Sequence, residues 1–456
     1  MNTKLWEEIL KFSFDHPNES YGFSIRLALK NNWTIYFTQK AILEYKKFMF
    51  LAATNNEMVS PSEIVDIVWH QHLIFTKSYS DLCSLLSKRI EHIPSTHNIS
   101  EVEKFKKAKE RTKELYEIAF GVQPLEFWDY ENELDTLNLS NSKFRVARLK
   151  KIFPRFFVLV CIPIYFMIYP ILIKIDNPDF LTYYVLFFAL VILSLELFAR
   201  INFKSIFDKI KSNLILSNLS PFELVFLKES KLEAVIHGAV NNLIKNGKIE
   251  ILANNRLNLI DKKFTDNDYE NCIIIIMSGF ESMPYVHLCQ LLIKKPVFEQ
   301  LQNAADRIKE RIINSKEFMF VVIVTMITLG GALSVGVCRI FAGISRGKPV
   351  TFLVIVVVIL VLVSVSYLDR VLKLLFGNII PLKIKEEKKS EGFESNWEWN
   401  YFIYGNVLLT SAFGPLVNNI NDASLSRDLS KVNSGGSACG SSCGSSCGGC
   451  GGCGGD

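Results

Sequence analysis

The chain has 456 residues, a formal net charge of +5, 49% hydrophobic and 21% charged residues, and a mean hydropathy of +0.21. It is too long, and outside its last residues too poor in cysteine, for a disulfide-stapled secreted domain; it is too hydrophobic to be disordered throughout, and +5 over this length is no nucleic-acid footprint. Composition is lopsided: residues 434–456 hold 10 of the 24 glycines and 5 of the 10 cysteines.

Residues 1–140 read as a helical cytoplasmic domain. The first thirty residues mix Glu7, Glu8, Asp15 and Glu19 into the apolar positions, so no signal peptide is expected and insertion relies on internal spans. Ala41, Tyr45, Phe48, Met49 and Ala52 recur at helical spacing. Ser60-Pro61-Ser62-Glu63 predicts a helix start, with Ser60 as N-cap and Glu63 as its capping-box partner. That helix carries Ile64, Val65, Val68, Trp69 and Leu73; a polar helix over Glu101 to Phe120 should close at Gly121.

Five of the seven histidines fall here: His16, His70, His72, His92 and His97. His70 and His72, two apart on a helix, point about 200° away from each other, so they cannot grip one ion as an i, i+4 pair would. A metal centre therefore needs one of them with distant ligands such as His92 or Glu91. Asp66, four residues before His70, could orient its imidazole. The alternative is a core histidine hydrogen-bonded beside Trp69.

Glu44-Tyr45-Lys46-Lys47-Phe48-Met49-Phe50-Leu51, then Pro61, Asp66, Trp69-His70-Gln71-His72-Leu73 and Tyr79, resemble the amino-terminal domain of an uncharacterised bacterial multi-pass membrane-protein family with a cysteine- and glycine-rich tail. The Trp-His-x-His element is also similar to that of glycine-rich domain-containing proteins. The family continues with His-His-x-Pro-Thr; the matching stretch here is Glu91-His92-Ile93-Pro94-Ser95, with one histidine missing. The resemblance implies a membrane protein and assigns no reaction.

Four stretches meet or approach the membrane criterion of about 18 apolar residues: 156–173, 180–199, 318–338 and 350–368. They form two pairs, within 141–200 and 318–376. Lys143, Arg145, Arg148, Lys150, Lys151 and Arg155 precede the first span, and Arg370, Lys373, Lys383, Lys385, Lys388 and Lys389 follow the fourth. The inner flanks are basic too, while the two short connectors hold only Lys174, Arg339, Arg346 and Lys348. The bias predicts both termini and the middle domain in the cytoplasm, with the second connector its weak point. Glu196 is the one ionisable residue within the spans, four before Arg200, and reads as an interfacial pair. Pro163 and Pro170 could kink the first span; Gly330, Gly331 and Gly336 could admit close helix packing in the third.

Residues 201–317 lie between the pairs. Ser220-Pro221-Phe222-Glu223 starts a helix, Lys231 to Lys245 forms another, and a hairpin turns at Asn254-Asn255: a winged-helix-like outline. Sixteen basic against fourteen acidic residues argue for a protein-interaction or packing module rather than a nucleic-acid binder. Ile273 to Met277 reads as a buried strand or helix core. After the fourth span, 377–433 reads as an amphipathic or interfacial segment.

Cys439, Cys443, Cys447, Cys450 and Cys453 sit among glycine and serine in a tail, 434–456, that cannot bury a core and is expected to be disordered when unliganded. In a reducing cytoplasm they are thiols, suited to a soft metal ion such as Zn, Cu or Fe, or to enzymatic cysteine modification; a passive low-complexity tail is the alternative. The chain contains no Walker A, His-Glu-x-x-His or Gly-x-Ser-x-Gly sequence.

The expectation is a mainly α membrane protein of the cell membrane: a helical domain, two pairs of spans, a small α+β domain between them and a thiol-rich tail. Its partners are the bilayer and a protein or modifying enzyme for the tail. The function expected is a non-enzymatic membrane-anchored scaffold; the alternative is a metal-dependent enzyme using His70, His72 and His92.

Overall fold

A computed structural model describes residues 2–15, 21–93, 99–175, 177–211, 214–390 and 396–418. Two units are distinguished, Met1–Leu409 and Thr410–Asp456. Of the second, residues 410–418 are described, and the chain turns there where Thr410 O accepts from Phe413 and Gly414 N–H. His16, His97 and the five tail cysteines lie outside the described residues.

The amino-terminal part is helical: α1 (Thr3–Lys11), α2 (Phe23–Asn31), α3 (Ile35–Thr54), α4 (Glu63–Ile74), α5 (Thr76–Leu85), α6 (Ile99–Phe120) and the single turn α7 (Leu125–Trp128), then a 3-10 turn Glu133–Leu137. Helix α3 forms the axis of the core; its apolar stripe, Ala41, Tyr45, Phe48, Met49 and Ala52, is buried as the spacing predicted. Two charged residues on α3 are buried too, and each is satisfied. Glu44 accepts from Lys47 (2.7 Å), the Tyr116 hydroxyl (2.7 Å) and Trp128 Nε1 (2.8 Å). Lys46 donates to Leu10 O (2.9 Å) and Phe12 O (2.7 Å). Burial without these partners would cost several kcal/mol.

Helix α4 begins two residues later than predicted. Its N-cap is Ser62, whose Oγ accepts from Val65 N–H at 3.2 Å, not Ser60. Ser60 is drawn off to α6, where its N–H and C=O both bond Thr112 Oγ1 (2.9 and 3.1 Å). Helix α6 ends as expected, with Gly121 at φ +85°, where a side chain would be strained.

Three helical segments are long and apolar enough to cross a membrane among the described residues: Asp179–Ile210, Lys316–Ser345 and Thr351–Lys388. They belong to α9 (Asn177–Ile210), α16 (Lys316–Ser345) and α17 (Thr351–Leu374), the last running on through a π turn, Leu375–Ile379, into α18 (Ile380–Ser390). The first predicted span falls in α8 (Val146–Leu172), which stays helical through Pro154, Pro163 and Pro170. Helix α16 is central, packed on α8, α9 and α17. Gly336 permits this: a Cβ there would meet the Tyr184 hydroxyl oxygen at 2.5 Å and Val357 at 2.8 Å. A Cβ on Gly330 would touch Phe153 at 3.0 Å, whereas Gly331 faces no neighbour within 4 Å.

Arg339, in the last turns of α16, and Arg346, which caps that helix, reach the end of α8. Arg339 donates to Leu172 O and to Ile175 O (2.6 Å), and Arg346 to Ile173 O (3.2 Å), satisfying carbonyls a helix end leaves open. Glu196 is shared between Arg200 (2.8 Å) and Arg370 (3.0 Å), so it ties α9 to α17 as well as pairing along its own helix.

Between the apolar helices, after the turn α10 (Leu214–Ser217), lie α11 (Pro221–Glu229), α12 (Leu232–Lys245), β1 (Ile249–Ile251), β2 (Arg256–Leu259), α13 (Asp268–Met277), β3 (Met283–Pro284), α14 (Tyr285–Leu292) and α15 (Pro296–Ile313). The helix start predicted at Ser220 is present, closed by a capping box of Ser220 and Glu223. The strands make an antiparallel sheet in the order β1-β2-β3, with Ile249 opposite Leu259 and Leu257 opposite Met283. Ile273 to Met277 is helix core, in α13. The segment after residue 396 forms α19 (Trp397–Tyr404), which packs on α11 and α12. Tyr401 lies so close to Gly238 that a Cβ there would stand 2.6 Å from its ring.

The middle part also grips the turn between α2 and α3. Gln300 Nε2 donates to Trp33 O (2.7 Å), Arg307 to Asn31 O (2.5 Å), and Glu223 accepts from Ile35 N–H (3.3 Å).

Candidate metal centre

Asp66 and His70 share one face of α4, a single turn apart. His92 comes from the segment after α5, folded back across that face. His92 Nε2 lies 3.0 Å from Asp66 Oδ1, and His70 Nε2 lies 3.7 Å from Asp66 Oδ2. One carboxylate thus faces two imidazoles, one on each oxygen. The two rings are 4.5 Å apart between centroids. One ligand atom from each residue can be chosen so that all three lie within 4.8 Å of one another. Ligands on a tetrahedral Zn²⁺ with bonds of about 2.0–2.2 Å stand roughly 3.3–3.6 Å apart, so modest rotamer adjustment closes the set.

The His92 segment is pinned at three points. Lys88 Nζ donates to Ala52 O (2.8 Å) and Asn55 O (2.5 Å) at the end of α3. The Tyr79 hydroxyl donates to Ile90 O and accepts from Trp69 Nε1 (3.2 Å). The Trp69 ring meets the His92 ring edge-on at 4.6 Å. Burial pushes the Tyr79 hydroxyl up to about 12, so it stays a donor at neutral pH. Ligands held this way by surrounding packing are those a metal site needs.

The site is partly open: the His70 side chain is 55% exposed, Asp66 33% and His92 17%. A cavity of about 700 Å³ lies beside it, lined by Asp66, Trp69 and His92 together with Phe48, Glu63 and Glu91. A second cavity of about 700 Å³ meets the first at Lys88, Glu91 and His92. The centre therefore stands where a small molecule could reach an open coordination position.

His72 is not brought into this set. It is fully buried; Nδ1 is 2.9 Å from the Tyr45 hydroxyl and Nε2 is 3.0 Å from Ser78 Oγ, with Phe14 and Phe23 packed on the ring. Burial lowers its pKa to about 4. It is the hydrogen-bonded core histidine, and His70 is the solvent-side one, as helix geometry required. Asp66 enters as a third ligand candidate rather than only as an orienter of His70. Its i, i+4 spacing from His70 was the available signal; contact with His92, 26 residues on, was not readable from spacing.

The five described cysteines, Cys83, Cys161, Cys272, Cys289 and Cys338, are free thiols, and Cys83 lines the second cavity together with Tyr79 and His92. Comparison of the chain with protein-family models, with curated proteins and with solved structures finds no match.

Proposed function

We propose that this chain is a multi-pass membrane protein that holds a divalent transition-metal ion on its amino-terminal helical domain, at Asp66, His70 and His92. The observation that carries this reading is the convergence of three ligand atoms from two separate segments within 4.8 Å. Two imidazoles and one carboxylate suit Zn²⁺ or Fe²⁺, and three protein ligands leave a position for water or substrate. An ion bound there would take the place of the contact between His92 and Asp66.

The reading places four spans in two pairs, about 156–173 with 180–199 and 318–338 with 350–368, and both termini and the middle domain in the cytoplasm. The basic flanks support it, and so does the use of Arg339 and Arg346 as caps, which gives half of the connector charges a structural role. Helices α11 and α12 followed by the β1–β2 hairpin fit a winged-helix-like interaction module of nearly neutral charge. Cys439, Cys443, Cys447, Cys450 and Cys453 add a second donor set, for soft-metal binding or cysteine modification. The Trp69-His70-Gln71-His72 element and the Gly/Cys tail keep the resemblance to the bacterial membrane-protein family as part of the proposal.

Zn²⁺ titration by calorimetry on the purified full-length protein tests the centre. Wild type should show a tight site that His92→Ala and Asp66→Ala each weaken at least tenfold; equal isotherms for all three would sink the reading. A second reading, a metal-dependent enzyme, is favoured by the cavity of about 700 Å³ alongside the ligands. Labelling of the tail thiols in intact cells by an impermeant reagent would overturn the topology.

A further inference from the structure

On the side of the middle part, a group of cations gathers along the membrane-length helices. Lys150 of α8, Arg200 of α9, Lys309 of α15 and Arg370 and Lys373 of α17 come together there. Three carboxylates answer them. Glu196 is shared by Arg200 and Arg370, Asp369 pairs with Lys150 at 2.8 Å, and Asp306 lies near Lys309. Five cations against three carboxylates leave a net charge of +2 at this end of the bundle.

The excess is gathered rather than dispersed. Burial pushes the Lys309 ammonium down from its ordinary pKa; Asp306 opposes this, and the charge of Lys373 adds to it, so the two lysines repel each other. Lys373 makes no ion pair or hydrogen bond among the described residues, and the described bonds of Arg370 use one N–H of its five. Like charges held together favour an anion between them.

A groove of about 690 Å³ opens at the same place, lined by Leu362, Val365, Asp369, Arg370, Lys373 and Asn378; the Asp369 carboxylate in its wall is already paired with Lys150. Its two ends differ in chemistry. Leu362 and Val365 are 65% and 57% exposed on a helix of membrane length. Arg370 and Lys373, one and two turns further along α17, bring the charge. An apolar wall that runs into a cationic one along a single helix matches a molecule with both an acyl chain and a phosphate. A free phosphate would use only the cationic end.

We propose that this groove holds an anionic phospholipid, its phosphate between Arg370 and Lys373 and an acyl chain along Leu362 and Val365. Glu196 is the positioning residue: it fixes the Arg370 guanidinium from α9 while leaving its other N–H groups for the headgroup.

The test is native mass spectrometry of the full-length protein released from nanodiscs of phosphatidylcholine with and without phosphatidylglycerol. Wild type should retain phosphatidylglycerol in preference to phosphatidylcholine. Lys373→Gln breaks no ion pair and should fold. At about 1 kcal/mol per basic residue near a charged surface, it should weaken that retention about fivefold, and Lys373→Arg should restore it. Arg370→Gln should act in the same direction. Equal retention of the two lipids by wild type would overturn the proposal, as would a Lys373→Gln variant that binds like wild type. Displacement of the lipid by millimolar inorganic phosphate would overturn it too, because the groove would then be a free-anion site.

Discussion

Replacing Glu133 with glutamine should stabilise the protein at alkaline pH and do much less at acid pH. Glu133 is wholly buried where the 3-10 turn meets the start of α3. One oxygen accepts from the Thr34 N–H (3.3 Å) and hydroxyl (2.6 Å); Oε2 has no partner. Burial pushes its carboxyl up from 4.5 to about 7; the Thr34 bonds hold it down, Glu223 pushes it further up, and Arg307 opposes that. A folded value above the unfolded one means that the fold favours the protonated acid. The stability it contributes is complete below the unfolded pKa and is lost as pH rises through about 7. At about 1.4 kcal/mol per unit, the loss amounts to about 3 kcal/mol. Glutamine keeps the acceptor for Thr34 and cannot ionise. It also leaves an amide N–H₂ where Oε2 had no donor, which costs about 1 kcal/mol at every pH. The variant should therefore gain about 3 kcal/mol on wild type between about pH 5 and pH 8. Thermal unfolding of both full-length proteins in detergent across that range measures it. A difference between variant and wild type that does not change with pH would refute the reasoning.

Other outcomes follow from the packing. His72→Ala should destabilise by about 2–4 kcal/mol, since it empties a buried ring site and strands the Tyr45 hydroxyl; Zn²⁺ stoichiometry at the metal centre should remain that of wild type, read by titration. Tyr79→Phe removes the anchor on Ile90 and should weaken Zn²⁺ about tenfold or more, as loss of supporting hydrogen bonds does at metal sites; by stranding Ile90 O and Trp69 Nε1 it should also destabilise by about 1–3 kcal/mol. Gly336→Leu cannot fit against Tyr184 and Val357, and should abolish a cysteine cross-link engineered between α9 and α16 that forms in the parent protein.

Much of the architecture was legible because period and punctuation agreed. The stripe on α3, the helix start at Ser220-Pro221, Gly121 and the hairpin at Asn254-Asn255 are local signals, and the structure has each. The start of α4 was misplaced because two serines flank Pro61 and either can cap. Thr112, about fifty positions away, decides between them by occupying Ser60. The candidate site was half legible. Helix geometry separates His70 from His72 without any structure. The pairing of Asp66 and His70 with His92 depends on how the segment after α5 folds back, which Lys88 and Tyr79 dictate through contacts no spacing encodes. The grip of Glu223, Gln300 and Arg307 on the α2–α3 turn was invisible for the same reason: each bond joins residues far apart in sequence.

The central claim is that Asp66, His70 and His92 hold a metal ion independently of the tail thiols. Elemental analysis of protein purified after Zn²⁺ loading and dialysis, truncated after residue 433, tests this most directly. About one Zn²⁺ per chain should remain in the truncated protein and should disappear when His70→Ala and His92→Ala are combined in it. Truncated protein that retains no metal, or a double variant that retains as much, would contradict the account.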